Sequence, residues 1–393
     1  MSEAVFIVGG ARTPIGSFGG ALAGHTPAAL GAQVTREALR RAGIAPGQVG
    51  HVVFGNVIPT EPHDAYLGRV AAVQADIPVA VPAMTLNRLC GSGVQAIVSA
   101  AQSIMLGDAE TAVAGGAEVM SRAPHYLTVG RFGQRLGDTS MLDGLTGVLT
   151  DPFGNGIMGI TAENVAAEYG ISREDQDAFA AESQRRAGAA RTAGRFADQI
   201  LPIEVTRGRN RILFEADEYP KPETTAESLA KLPTVFKKGG SVTAGNASGI
   251  NDGAAAVALA SERHVRKAGL EPLARIVGYA HAGVEPGLMG IGPVPAVRTL
   301  LRRTGLSIDD FDVIESNEAF AAQALAVSRA LEMNPEITNP DGGAIALGHP
   351  VGATGAILTV KALSYLRRTG GRHGLVTMCI GGGQGIALAI ERL

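Results

Sequence analysis

Two stretches near opposite ends of the chain follow one grammar: a glycine-rich turn, an alanine-rich amphipathic helix, then a short buried strand. In the first, Asn87-Arg88-Leu89-Cys90-Gly91-Ser92-Gly93 leads into a run where Val94, Ile97, Val98, Ala101, Ile104 and Met105 recur at helical spacing, followed by the apolar Thr111–Gly116. In the second, Gly352-Ala353-Thr354-Gly355 opens a helix carrying Ile357, Val360 and Leu363, and Leu375–Met378 reads as the strand after it. Strands alternating with helices must stack into a sheet with helical layers. A chain that does this twice points to an internally duplicated α/β fold. Val5–Val8, Val52–Phe54, Asp312–Glu315 and Gly385–Ile390 read as further strands, and Ala28–Ala42 as a helix with Leu30, Val34 and Leu39 on one face.

Between these halves the character changes. From about Ser121 to Gly249 lie long polar helical patterns, such as 172–192, and a stretch rich in Pro, Lys and Glu over 217–238. This segment reads as an insertion, more exposed than its flanks, of the kind that supplies a lid or binding surface to a rigid core.

Composition narrows the chemistry. A net charge of −3 without a basic block, together with 4% aromatic residues and no tryptophan, argues against nucleic acid or stacked sugars as partners. No apolar run approaches the ~18 residues of a membrane span, and the start of the chain reads directly as a strand rather than a secretory signal. Two cysteines can build neither a disulfide framework nor a four-thiolate zinc site, so no metal is expected. The expected location is the cytoplasm, with both thiols reduced. No glycine turn ends in the Lys-Ser/Thr of a phosphate-binding P-loop.

Both cysteines sit in glycine-rich turns expected to join helix and strand: Cys90 in the turn above, and Cys379 in Met378-Cys379-Ile380-Gly381-Gly382-Gly383. Small neighbours let a ligand approach the backbone. Cys90 falls at a helix N-terminus, where the dipole and free N–H groups favour a thiolate. Of the eight histidines, only His349 lies between a glycine, a proline and a second glycine turn. A redox pair of Cys90 and Cys379 is the competing reading, but the two are far apart in sequence and lack Cys-x-x-Cys spacing.

Six stretches in order resemble the thiolase family: Gly10–Gly16, Asn87–Gly93, Thr243–Gly249, Asn317-Glu318-Ala319-Phe320, Gly348-His349-Pro350-Val351-Gly352-Ala353-Thr354-Gly355 and Cys379–Gly383. The resemblance covers essentially the whole chain. It implies two α/β halves in a five-layer α/β/α/β/α core with an inserted loop domain, divided as 1–120 with 250–271, 121–249, and 272–393. It implies an acyltransferase of fatty acid metabolism that cleaves 3-ketoacyl-CoA with free CoA or condenses acyl-CoA units, with coenzyme A as substrate and no separate cofactor. Cys90 would be the acylated nucleophile, His349 its base, and Cys379 the group that moves the α-proton. Asn317, with His349 and a water, would form one oxyanion site; the N–H groups of Cys90 and Gly381 would form the other. Ser248 would bond the pantetheine, with Leu149, Met158, Phe236, Ala244, Ala319 and Phe320 lining its tunnel and Lys221 at the adenine or phosphate end. Dimers or tetramers are implied.

Two positions depart from the short-chain members: Ile157 stands where they carry histidine, and Lys221 where they carry arginine. Loss of a polar group beside the acyl pocket leaves room for longer or branched acyl chains, and an ammonium cannot reproduce a planar guanidinium. A decarboxylating ketoacyl synthase has a related fold, but its usual set lacks a second cysteine. A catalytically silent acyl-CoA or lipid binder would be expected to lose one of the reactive residues, all of which are present.

Overall fold

The structure is a computed structural model that describes residues 3–393, so Met1 and Ser2, which the sequence reading took into the first strand, lie outside the described residues. Nine strands form the core: β1 (Val5–Arg12), β2 (His51–Gly55), β3 (Ala83–Leu86), β4 (Thr111–Val119), β5 (Asn251–Ser261), β6 (Ala274–Gly283), β7 (Val313–Ser316), β8 (His373–Ile380) and β9 (Gln384–Arg392). Their order is β7-β8-β9-β6-β1-β5-β4-β2-β3. The strands of the two halves join where Phe6 and Ile7 of β1 pair with Arg275 and Ala274 of β6.

The duplication expected from the repeated turn–helix–strand pattern is visible in the strand registers. In one half β1 pairs antiparallel with β5, β5 antiparallel with β4, and β4 parallel with β2. In the other, β6 pairs antiparallel with β9, β9 antiparallel with β8, and β8 parallel with β7. Even the irregularities match: β1 slips register at Ile7/Gly9 and β6 at Ile276/Gly278. The outer parallel neighbour of β2 is β3, while that of β7 shrinks to a single Ile314–Thr338 bridge.

Six helices layer these sheets: α1 (Pro27–Ala42), α2 (Leu67–Gln74), α3 (Ser92–Met105), α4 (Pro293–Thr304), α5 (Ala321–Leu331) and α6 (Val351–Thr369). Helices α1 and α2 cover the outside of the first sheet, and α4 that of the second, with α5 against α4. Helices α3 and α6 pack on each other between the sheets, giving the five layers. Local signals set the helix ends. Thr26 accepts from Ala29 N to cap α1, Pro27 opens it, and Gly43 closes it at φ 67°. Helix α6 has almost no polar face and is buried along most of its length, as a central layer demands. Each fully buried Leu or Val there contributes roughly 1.5–3 kcal/mol. Its one internal charge, Lys361, is held 2.7 Å from Glu315 of β7 and 2.7 Å from the Gly342 carbonyl.

The chain from 121 to 249 forms two helices, Met158–Glu168 and Arg173–Thr192, two short helical turns, and small two-stranded ribbons. A buried bidentate pair ties it to the core, with Arg12 donating to both oxygens of Asp217 at 2.7 and 2.9 Å. No helix among the described residues is long and apolar enough to cross a membrane.

Of the two cysteine turns, only the second differs from expectation in its connectivity. Cys90 lies on the turn from strand β3 to helix α3. Cys379 is the penultimate residue of β8, and its three glycines make a hairpin to the antiparallel β9. Gly382 and Gly383 adopt φ of 80° and 85°, which the tight reversal requires.

Candidate active site

Helices α3 and α6 cross where Gly93 meets Gly355: a Cβ on Gly355 would collide with Val94 N, and one on Gly93 would press on Ala356 N. The absence of side chains lets the two N-termini converge. Cys90 immediately precedes the N-cap Gly91 of α3, and His349 immediately precedes the N-cap Pro350 of α6. The internal duplication thus places one reactive side chain from each half at a common point.

There a narrow cavity of about 70 Å³ is lined by Cys90, His349, Cys379, Gly381 and Ser248, with an otherwise apolar wall. Leu149, Met158, Ala319 and Phe320, expected along the tunnel, are in that wall. A larger hollow of about 500 Å³ elsewhere contains Arg40, Arg41, Asp198 and Arg367 but none of these groups.

The nucleophile turn is tightly held. Leu89 sits at φ 44°, an uncommon conformation for a branched side chain, directly before Cys90. Asn87 Oδ1 accepts from Leu89 N at 2.8 Å, while Ser92 Oγ accepts from Arg88 N at 2.8 Å and donates to the Leu89 carbonyl at 2.7 Å. The backbone N–H groups of Gly381 and Cys90 both face the Cys90 sulfur and favour its charged form, yet burial outweighs them and pushes the thiol up. The pull towards a thiolate expected at the helix terminus is thus present, and burial opposes it. Cys379, 1% exposed, is also pushed up by burial, with the neighbouring Cys90 adding to the effect.

His349 is fixed from three sides. Gly348 takes φ 108°, and a Cβ there would collide with Asn251. Asn251 Oδ1 accepts from His349 N at 2.9 Å. Nδ1 lies 2.7 Å from Thr354 Oγ1, which in turn donates to the Pro350 carbonyl at 3.0 Å. Burial lowers the imidazole to about 4, leaving it neutral near pH 7.

Asn317 presents Nδ2 3.4 Å from His349 Nε2. It does not line the cavity itself, and its buried Oδ1 has no partner among the described residues. The next residue, Glu318, is anchored on its own account, its carboxylate accepting from Ser183 Oγ at 2.7 Å, Asn339 Nδ2 at 2.9 Å and Ile345 N at 3.2 Å.

Four expected positions fall elsewhere. Phe236 stands behind the wall, edge-on to Phe320 with ring centroids 6.2 Å apart, and packs on Gly159. Ala244 is exposed and outside the cavity. Lys221 is also exposed, its ammonium over the Tyr219 ring at 5.7 Å, and that ring abuts Gly249 beside Ser248. Ile157 bridges to Thr150 and does not line this cavity, whose wall has Met158 instead. Sequence reasoning passed over Val57, Leu89, Val148, Met289 and Val351, which complete the wall. Nothing in their local pattern separates them from ordinary core residues. Thr354 was legible only as a member of the Gly348–Gly355 stretch, and Asn251, two residues past Thr243–Gly249, was passed over.

Comparison with known proteins decides the family. The model described as "Thiolase, N-terminal domain" matches residues 5–263, and "Thiolase, C-terminal domain" matches 270–392. The chain belongs to the thiolase family. It is 57% identical over 395 residues to the beta-ketothiolase BktB of Cupriavidus necator, covering 100% of both chains. It is 48% identical to the mitochondrial 3-ketoacyl-CoA thiolase of Mus musculus, covering 98% of each. The solved human mitochondrial 3-ketoacyl-CoA thiolase in complex with CoA superposes with a TM-score of 0.97 at 47% identity, covering 100% of this chain and 98% of that one. The α/β fold read from the sequence is thus a thiolase fold.

Proposed function

We propose that this thiolase is an acetyl-CoA C-acyltransferase that works by a ping-pong cycle through an acyl-Cys90 intermediate. The observation that carries this reading is the convergence of Cys90, His349 and Cys379 on one apolar cavity. His349 Nε2 takes the thiol proton as Cys90 Sγ attacks the thioester carbonyl. The C–S bond to CoA breaks, and the proton returns to the departing CoA thiolate. In the condensing direction the Cys379 thiol gives its proton to His349, and the resulting thiolate removes a proton from the α-carbon of a second acetyl-CoA. That carbon attacks the acyl group and expels the Cys90 sulfur, which takes the proton held on His349. Thiolysis runs the same steps in reverse.

Negative charge develops on a carbonyl oxygen in each half-reaction, and two donor sets answer it. Gly381 N–H and Cys90 N–H, which already face the sulfur, serve the oxygen of the acyl group on Cys90. Asn317 Nδ2 and His349 serve the enolate oxygen through a water. Ser248 at the cavity wall is suited to the pantetheine, and exposed Lys221 to the phosphate end. Phe236 and Ala244 enter this reading only indirectly, as support behind the wall and as part of the small-residue approach.

Coenzyme A is the carrier substrate, and the steps written above call on no metal or redox group. The division into 1–120 with 250–271, 121–249, and 272–393 follows the register symmetry of the sheets. The chain is read as a dimer or tetramer: the edge strand β3 is only partly covered, and Phe132 and Leu136 in the inserted segment are 93% and 89% exposed. Two working thiols favour a reducing cytoplasm. Incubation with acetyl-CoA followed by mass spectrometry should show an acetyl group on Cys90 within the dead time of manual mixing. An unlabelled Cys90 would instead favour a silent acyl-CoA binder.

A further inference from the structure

Behind the cavity lies a carboxylate that the steps above leave unused. Glu118, next to last in β4, is fully buried. Oε1 accepts from Asn56 Nδ2 at 3.1 Å and from Ile58 N at 3.0 Å. Oε2 accepts from Val57 N at 2.9 Å and from Gly352 N at 2.9 Å. Each oxygen meets two donors and no acceptor, the pattern of a charge-assisted carboxylate site. Burial pushes this carboxyl up to about 8, against the backbone N–H groups of Ile58, Val57 and Gly352 that favour its ionised form.

The donors come from two separate places. Three belong to the segment after β2, whose Val57 lines the cavity; the fourth is in the first turn of α6, adjacent to cavity-lining Val351. A Cβ at Gly352 would collide with the Glu118 carboxylate, so glycine is what admits the charge to the helix end. A negative charge there also complements the dipole of a 19-residue helix. Asn56 completes the clamp by donating to the Ala117 carbonyl at 3.0 Å.

We propose that Glu118 is a positioning residue for acyl transfer: its carboxylate clamps the Val57 wall to the first turn of α6 and so fixes His349 relative to Cys90. This rests on the reading of His349 as the base for Cys90. An amide at this position keeps the shape but turns an N–H donor towards backbone N–H groups, so one edge of the clamp must open.

The test is a double-mutant cycle on the rate of Cys90 acylation by acetyl-CoA, measured above about pH 8 in the full chain, where the carboxylate is ionised. Glu118→Gln should slow acylation about tenfold or more. Its KM for acetyl-CoA should stay within about twofold of wild type, because the lost interaction is not one with substrate. In a His349→Ala background the same substitution should cost no more than about twofold, since the residue it acts through is gone. Unchanged acylation in a folded Glu118→Gln protein would overturn the proposal, as would an equal loss in both backgrounds. Should Glu118→Gln not fold, Asn56→Ala, which removes one donor and leaves the carboxylate, is read by the same criteria. Failure of the wild-type protein to acylate counts against the thiolase chemistry itself and is separable from both results.

Discussion

Thr354 decides which nitrogen of His349 is basic. Its hydroxyl has one proton, donated to the Pro350 carbonyl at 3.0 Å, so the contact at 2.7 Å must be supplied by the Nδ1 proton of His349. Nε2 is then the unprotonated nitrogen, and it is the one beside Asn317.

From this, Thr354→Val should slow acylation of Cys90 about tenfold, within the range for general-base effects, with little change in KM. Thr354→Ser should restore most of the rate. Single-turnover mass spectrometry of the acyl-enzyme measures both; equal rates in the Val and Ser variants would remove the tautomer argument.

The lowered pKa of His349 sets a pH window. An ordinary histidine near 6.5 would lose its basic form below that pH, but this one, at about 4, stays neutral well below it. Acylation should therefore keep its His349 base down to about pH 5. The sign for stability is opposite in feel but follows from the same shift. Between about 6.5 and 4 the unfolded chain binds a proton at this position that the native state does not, so stability falls as pH drops through the window. Denaturant titrations across that range should show a shallower fall for His349→Gln than for wild type.

The two thiols separate by substitution. Cys90→Ala should abolish acyl-enzyme formation. Cys379→Ala should still be acylated by acetyl-CoA yet fail to make or break the carbon–carbon bond. Acetyl label and acetoacetyl-CoA turnover, measured on the same samples, check this division; a Cys379→Ala protein that still condenses acetyl-CoA would refute it.

The helix crossing is a geometric requirement. Gly355→Ala puts a methyl against the backbone of α3 at Val94 and should cost about 1–3 kcal/mol by overpacking. Acylation should fall by more than the stability loss predicts in the folded fraction, because the displaced helices carry Cys90 and His349. Chemical denaturation alongside acylation rates tests the difference.

Chain-length preference should follow Met158 rather than Ile157. Met158 lines the cavity and its methyl faces Gly381, whereas Ile157 bridges to Thr150. Met158→Ala should raise kcat/KM for a longer 3-ketoacyl-CoA relative to acetoacetyl-CoA by about tenfold, the scale of one or two methylenes in a pocket. Ile157→His should leave that ratio within about twofold. A substrate-length series in the thiolysis direction reads both, and the opposite ranking would return the pocket to Ile157.

The sequence by itself determined the periodic helices and buried strands and their repetition in two halves, and it singled out the four side chains proposed to carry the chemistry. Those are local properties: apolar spacing, glycine turns, and motifs such as Gly348–Gly355 that hold in any register. Only the tertiary structure decided the rest. Burial of the Cys90 thiol, which works against the pull of its helix terminus and of the Gly381 N–H, comes from segments far apart in sequence. Ile157 and Met158 are neighbours in sequence, and only the folded chain puts Met158 and not Ile157 in the cavity wall. Glu118 reads as one more residue of a buried strand until Asn56, Val57, Ile58 and Gly352 are brought round it. Donors supplied by backbone from distant segments leave no mark in local sequence, because every residue except proline carries the same N–H.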